Sequence, residues 1–294
     1  MTKQPFDPRY NPGAPQELSI AGVEMKAFSI SGVSTYVLVP AMNACFDLGH
    51  CAVEAARLRN VLLTHTHQDH CLGVIRHRSL REMWGNPPSN VYLPHACRED
   101  FLHTLRAFSR LEQREFDEQR VTGSVVGVSP GTVFSLSPRY EVECFAVAHR
   151  ITSVGFRVIE TRRKLKPEFV GLEGSVLGEA HRQGTVLYDF HKHPVFTYIG
   201  DSTIETLETE ANWGDTDVLF LECTHVGSTD LSVSQKYGHT HLDQLVQLFR
   251  DDPKRFGRAN IVLKHWSMRY SRDEVLRAFR RVPRALAERI TLLL

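Results

Sequence analysis

Apolar and polar residues alternate in short runs through the first part of the chain, the period-two signature of half-buried strands. The pattern predicts strands over 18–24, 26–30, 35–39 and 44–47, and a continuously apolar strand over 60–63. A helix is expected over 69–83, a short strand over 91–93 and a long charged helix over 98–119. Further strands follow over 123–128, 132–136, 140–148 and 154–160. The mixed, polar stretch 161–194 keeps no clear period and reads as an arm inserted into the framework. Beyond it, 195–199, 218–221 and 260–263 are apolar runs of buried-strand type, and 242–250 and 272–281 are helical. Hairpin-rich β structure giving way to alternating strand and helix predicts an α/β fold, two packed β-sheets flanked by helices. No linker or repeat divides the chain, so one domain spanning residues 1–294 is expected.

The most specific chemistry follows the apolar strand at 60–63. The run His65-Thr66-His67-Gln68-Asp69-His70 places three imidazoles and a carboxylate within six residues. In its extended first part, His65 and His67 point the same way and can share one cation, while Asp69 and His70 turn into a helix and face a neighbouring position. That arrangement suits two adjacent metals. Further ligands are expected at strand ends, where side chains converge, and His149, Asp201 and His265 each follow a predicted strand. The two oxygens of a carboxylate such as Asp201 can bridge two cations. Nitrogen and oxygen donors without a thiolate favour two zinc ions and tolerate manganese or iron. A carboxylate at Glu222, behind the apolar run 218–221, needs a buried partner, and a histidine is a reasonable one.

Composition narrows the picture. The six cysteines are scattered and form no Cys-x-x-Cys pair, which argues against a zinc ribbon or a disulfide framework. The proline-rich start lacks the apolar core of a signal peptide, and no apolar run approaches the ~20 residues that span a bilayer. A soluble cytoplasmic protein is expected, with no membrane partner. Net charge is +1, so any nucleic-acid contact must come from local charge. One such stretch is Arg162, Arg163, Lys164 and Lys166, and a second runs from Arg269 to Arg284. His77, His95, His103, His181, His191 and His193 are expected at the surface, and His50, His225 and His241 are expected to be neither ligands nor catalysts.

The His-x-His-x-Asp-His loop resembles the signature of the metallo-β-lactamase superfamily. Five later segments are similar, in order, to those of ribonuclease Z, the endonucleases that remove 3′ trailers from precursor tRNA. They are His149 to Phe156, Tyr198 to Thr203, Leu219 to Thr224, Gly238 to Asp243 and His265 to Tyr270, the last with Trp266 where the family has Phe. Lys164 to Gly174 looks most like the short-form, plant-type enzymes. The resemblance implies an αββα sandwich, one metal held by His65, His67 and His149, and a second held by Asp69, His70 and His265, with Asp201 bridging. It implies phosphodiester hydrolysis in which Asp69 accepts the proton of the attacking water and His239, steered by Glu222, assists the leaving 3′ oxygen. It also implies a homodimer, often with the arm of one subunit gripping the tRNA elbow on the other; no DNA partner is expected. The arm here is short and its second half is not notably basic. Two other readings remain: a hydrolase of small phosphodiesters or other esters on the same scaffold, and an RNA-binding protein without metals. Intact residues at all seven ligand positions argue against the latter.

Overall fold

The computed structural model describes residues 14–229 and 231–294, and most of the proline-rich start lies outside them. Its first sheet follows chain order: β1 (Gln16–Ile20), β2 (Val23–Ser31), β3 (Ser34–Val39), β4 (Ala44–Leu48), β5 (Asn60–Leu62), β6 (Asn90–Pro94) and β7 (Val125–Val128). The second contains β8 (Val133–Ser135), β9 (Tyr140–Val147), β10 (Ser153–Leu165), β11 (Tyr188–Tyr198), β12 (Val218–Glu222) and β13 (Asn260–Lys264). The short β14 (Trp266–Ser267) then crosses back to pair with β2, and β15 (Ile290–Leu292) closes the second sheet beside β13. Both sheets are antiparallel over their first four strands and parallel over the rest.

Alternation decides the layers. Inward-facing Val37, Phe46, Leu62, Phe156, Phe196, Phe220 and Val262 fill the space between the sheets, with the Phe46 ring 4.7 Å from that of Phe196. On the outer face of the first sheet lie α1 (Gln68–Cys71), α2 (Gly73–Met83), α3 (Arg98–Leu111) and α4 (Glu118–Thr122), where Val74, Leu80, Leu102 and Leu105 cover Val61, Val91 and Leu93. Farther along come α5 (Gly174–Arg182), α6 (Glu205–Thr209), α7 (Leu231–Tyr237), α8 (Leu242–Asp251), α9 (Arg272–Phe279) and α10 (Arg284–Ala287). Leu245, Val246, Val275 and Leu286 from the last three cover the second sheet. The expected αββα sandwich is present. All six cysteines are free thiols, five of them buried.

Several boundaries differ from expectation, each for a local reason. The strand expected over 18–24 is broken at Ala21 and Gly22, both at positive φ, which make a two-residue hairpin turn between Ile20 and Val23. The helix expected to reach residue 119 ends at Leu111. Gln113 adopts a left-handed conformation, Phe116 folds back against the core, and Asp117 then caps α4 by accepting from the Arg120 backbone N–H. The arm is less irregular than its composition implies. Its flanks continue β10 and β11 as a ribbon pairing Ile159–Leu165 with Tyr188–Pro194, and α5 sits at its tip. The short α7 and terminal β15 carry too little periodicity to be read from the chain.

His77 is a correction. Expected at the surface, it is buried on α2, with Nε2 3.0 Å from both the Ala55 and Leu58 carbonyl oxygens. A neutral ring donating from Nε2 ties the 53–57 turn to the helix. Burial depresses its pKa from 6.5 to about 4, with Arg81 adding to the effect. The unfolded chain takes up this proton near pH 6.5 and the folded protein does not until about pH 4. The group is therefore neutral to stability above 6.5, and stability falls between those limits by about 3 kcal/mol from this site. Urea unfolding measured across that window should show a smaller acid loss for His77→Gln than for wild type; equal losses would show that other groups set the acid sensitivity.

A candidate two-metal centre

Every element bearing a predicted ligand delivers it at one edge of the sandwich. His65 and His67 follow β5, Asp69 and His70 lie on α1, and His149, Asp201 and His265 follow β9, β11 and β13. Gly200 is needed there for close approach: a Cβ on it would meet Thr64 Oγ1 at 2.2 Å, so it admits the histidine loop against Asp201. His265 has φ 70° and Asp47, beneath the site, φ 51°, both left-handed and strained for side chains of their kind.

His67 Nδ1 lies 3.0 Å from His65 Nε2 and 3.3 Å from His149 Nε2, and Asp201 Oδ2 is 3.7 Å from His65 Nε2. Beside this group, His70 Nε2 is 3.3 Å from His265 Nε2 and 3.8 Å from Asp69 Oδ2, which is 3.5 Å from His265 Nε2. Asp201 turns its other oxygen, Oδ1, to this second group, 3.2 Å from His70 and 3.3 Å from His265. Donors arranged tetrahedrally around zinc at ~2.0–2.1 Å stand roughly 3.3 Å apart, so both groups have the spacing of a coordination shell. Asp201 Oδ1 is buried with no hydrogen-bond partner among the described residues, an orphan that a cation would satisfy.

Electrostatics agree with the geometry. Burial depresses the pKa of His65, His67, His149 and His265, keeping these rings neutral as ligands must be. Burial also opposes charge on His70, but the Asp201 and Asp47 carboxylates outweigh it and raise the ring to about 10. A cation entering the site displaces that proton, so binding weakens as pH falls. For Asp69, burial opposes ionisation, and His265 and His70 overcome it, holding the carboxyl at about 2.

Residues behind the ligands complete the site, and sequence reasoning missed them. Asp47 Oδ2 lies 2.9 Å from His70 Nδ1 and accepts from the Tyr198 hydroxyl at 3.0 Å, while its Oδ1 accepts from the Thr64 N–H at 2.8 Å. Thr64 Oγ1 is 3.0 Å from His65 Nδ1, Thr224 Oγ1 is 3.0 Å from His265 Nδ1, and the Gly238 carbonyl is 2.8 Å from His149 Nδ1. The Gly32 N–H donates to Asp69 Oδ2 at 2.8 Å. Such partners fix the tautomer and orientation of each ligand. One signal was present: a carboxylate at Asp47 within an apolar strand needs a buried partner.

His239 and Glu222 come together at the rim. His239 Nδ1 is 3.3 Å from Glu222 Oε1 and 4.0 Å from Asp201 Oδ2. Glu222 is fully buried and accepts from the Ser202, Thr224 and Thr240 N–H groups and from the Thr224 hydroxyl. Burial alone would lower the His239 pKa, yet the Glu222 carboxylate raises it overall. His225, expected to be neither ligand nor catalyst, is buried beside His239 with ring centroids 5.9 Å apart, and His241, of which the same is expected, caps α8.

The basic residues are not gathered here. Arg269 is exposed, and adds to burial and to His239 in lowering the pKa of His225. On the arm, Arg162 is already paired with Glu160 at 2.6 Å and Asp217 at 3.3 Å, and Arg163 lies over the Tyr188 ring. Lys164 and Lys166 stand farther out on the same ribbon.

A domain model described as the β-lactamase superfamily domain matches residues 41–266, and the chain belongs to that superfamily. Within it, the chain is 27% identical over 276 residues to tRNase Z TRZ1 of Arabidopsis thaliana, covering 93% of this chain and 95% of that one. Among solved structures, the metallo-β-lactamase fold protein YhfI of Bacillus subtilis superposes with a TM-score of 0.54 at 15% identity, covering 91% of this chain and 93% of that chain. The short form of human tRNase Z superposes with a TM-score of 0.50 at 17% identity, over 88% and 91% of the two chains. These superpositions establish the shared fold.

If Asp47 orients His70, Asp47→Asn should weaken zinc binding roughly 10- to 100-fold in a chelator competition, whereas His65→Ala should lose metal and activity together. An unchanged affinity in Asp47→Asn would reduce that residue to a purely structural part.

Proposed function

We propose that this chain is a metal-dependent endoribonuclease that removes 3′ trailers from precursor tRNA, leaving a 3′-hydroxyl on the tRNA. The observation that supports this reading most is the Glu222–His239 pair set against both donor clusters. A buried carboxylate holds a proton-bearing imidazole where a leaving oxygen would depart. The sequence similarity to tRNase Z over nearly the whole chain favours an RNA phosphodiester as the bond broken. The reading carries with it zinc as the cation, His65, His67 and His149 as one ligand set, and Asp69, His70 and His265 as the other, with Asp201 shared between them. It also carries a homodimer and a cytoplasmic location. No helix among the described residues is long and apolar enough to cross a membrane.

Two divalent cations held in that cradle would supply an acidified water and charge neutralisation on the phosphoryl oxygens. Asp69, ionised at neutral pH and fixed by the Gly32 N–H, would orient the attacking water and accept its proton as the new P–O bond forms and the bond to the 3′ oxygen breaks. His239 donates its proton to the departing 3′ oxygen, and Glu222 stabilises the cationic ring beforehand. Because Glu222 is fixed by four donors, its carboxylate cannot swing away as the ring gives up its proton.

The arm's direction bears on the subunit arrangement. Its outer end lies at the start of β11, whereas Asp201 lies beyond that strand's other end, on the order of 35 Å away for eleven residues at ~3.3 Å each. An RNA held by the arm therefore lies far from the same chain's donors, which suits an arm serving a second copy. A hydrolase of small phosphodiesters is the competing reading. It is favoured by the near-neutral charge and by the engagement of Arg162 in ion pairs.

A 3′-extended tRNA precursor should be cut just after the discriminator nucleotide, and a chelator should abolish the cut. No cut by protein that contains metal and hydrolyses a simple phosphodiester would leave the competing reading. His239→Ala should keep its metals and lose turnover by roughly 10²–10⁴-fold; normal cleavage by that variant would remove the assigned acid. Arg163→Glu combined with Lys164→Glu should raise KM for the precursor with kcat little changed, and an unaltered KM would take the arm out of substrate binding.

A further inference from the structure

Helices α8 and α9 leave a groove of about 260 Å³ between them. Leu242, Val246, Ala278 and Val282 form its floor, and Arg250 and Arg281 stand at its walls. One end of the groove adjoins the Glu222–His239 pair. Leu242 follows His239 by three residues, and Arg250 lies about 12 Å farther along α8, for eight residues at ~1.5 Å each. Arg277 and Arg280 stand beside Arg281 at the end of α9. All four arginines are exposed, and none has an ion pair or a side-chain hydrogen bond among the described residues. Arg162, Arg258 and Arg284, by contrast, are each engaged by a carboxylate. A cation near a helix C-terminus is favourable in itself, which accounts for each arginine singly and not for Arg250 and Arg281 meeting across one groove. The one carboxylate lining the groove, Asp243, stands at the His239 end, 3.8 Å from His241 Nδ1.

We propose that this groove binds RNA phosphates, and that it receives the strand on the tRNA side of the scissile bond rather than the trailer. This rests on reading His239 as the group that protonates the leaving 3′ oxygen. That oxygen belongs to the tRNA, so the nucleotides before it lead away from the His239 side, where the groove begins. The trailer keeps the phosphate and lies over the donor clusters. Stacked nucleotides advance ~3.4 Å each along a strand, so a groove about 12 Å long takes the backbone of roughly three or four. Guanidinium groups without protein partners are free to take phosphate oxygens in pairs, and the apolar floor suits the faces of riboses and bases. Four unpaired cations against one carboxylate favour a polyanion over a protein as the occupant.

The test compares wild type with Arg250→Ser combined with Arg281→Ser, both exposed positions. Binding of a mature tRNA and of a 5′-phosphorylated trailer oligonucleotide is measured by fluorescence anisotropy across a series of salt concentrations. The double variant should bind the tRNA roughly tenfold more weakly at low salt, with a log–log salt slope shallower by about one to two, while its affinity for the trailer stays at the wild-type value. Unchanged tRNA affinity and slope would overturn the proposal, and so would a loss confined to the trailer. A double variant that loses self-association and keeps its tRNA affinity per chain would assign the groove to a second copy of the chain instead. Wild-type protein that neither binds tRNA nor cuts the 3′-extended precursor would remove the tRNA reading, and this proposal with it. Wild-type binding and cutting that the double variant matches removes this proposal alone.

Discussion

The structure turns on holding several lone pairs face to face in a dry place. Imidazole nitrogens 3.0–3.3 Å apart can be brought so close only if their facing atoms carry no protons or share one. Orientation has to be imposed from behind, by giving a ring's other nitrogen a fixed partner. Thr64, Thr224 and the Gly238 carbonyl do this for His65, His265 and His149, and Asp47 does it for His70, whose proton it favours. The sandwich core therefore has a second task besides excluding water. It must keep β4, β5, β11, β12 and β13 in register to within a fraction of a hydrogen bond, or the donors stop converging.

Much of this was legible in the chain, because metal ligands crowd into short motifs and strands declare themselves by alternation. The histidine loop after β5 and the later positions His149, Asp201 and His265 could be named from spacing and strand ends alone, and the structure brings them together. Their supporting partners could not. Thr64 and Thr224 look like any threonine in sequence, and what selects them is the three-dimensional approach of β5 and β12 to particular rings. His77 departs from expectation because a polar ring on a helix reads as solvent-facing, whereas the Ala55 and Leu58 carbonyls supply its buried partners. The end of α3 was missed because Leu111 to Glu115 contains no residue that stops a helix; tertiary packing of Phe116 ends it.

The two halves of the sandwich share one plan, four antiparallel strands followed by parallel ones, but they contribute unequally to the chemistry. The first half supplies the compact loop with His65, His67, Asp69 and His70. Later strands add single residues, each at the tip of its own strand. A compact loop can be recognised locally, whereas the later contributions have meaning only as a set. Changing one later residue leaves its strand intact and the cluster incomplete.

The arm is continuous with the framework. β11 runs without a break from Tyr188 at the arm's outer end to Tyr198, three residues before Asp201, and β10 accompanies it antiparallel. The only irregularity in that ribbon is the register shift between Val158 and Ile159, where Pro194 sits opposite Ile159. Most of the conformational entropy of extending the arm is thus already lost on folding, and the ribbon behaves as a strut with one joint at its root. A load on the outer end would be felt along the same strand that leads to Asp201, so the arm and the donor clusters share a single mechanical axis.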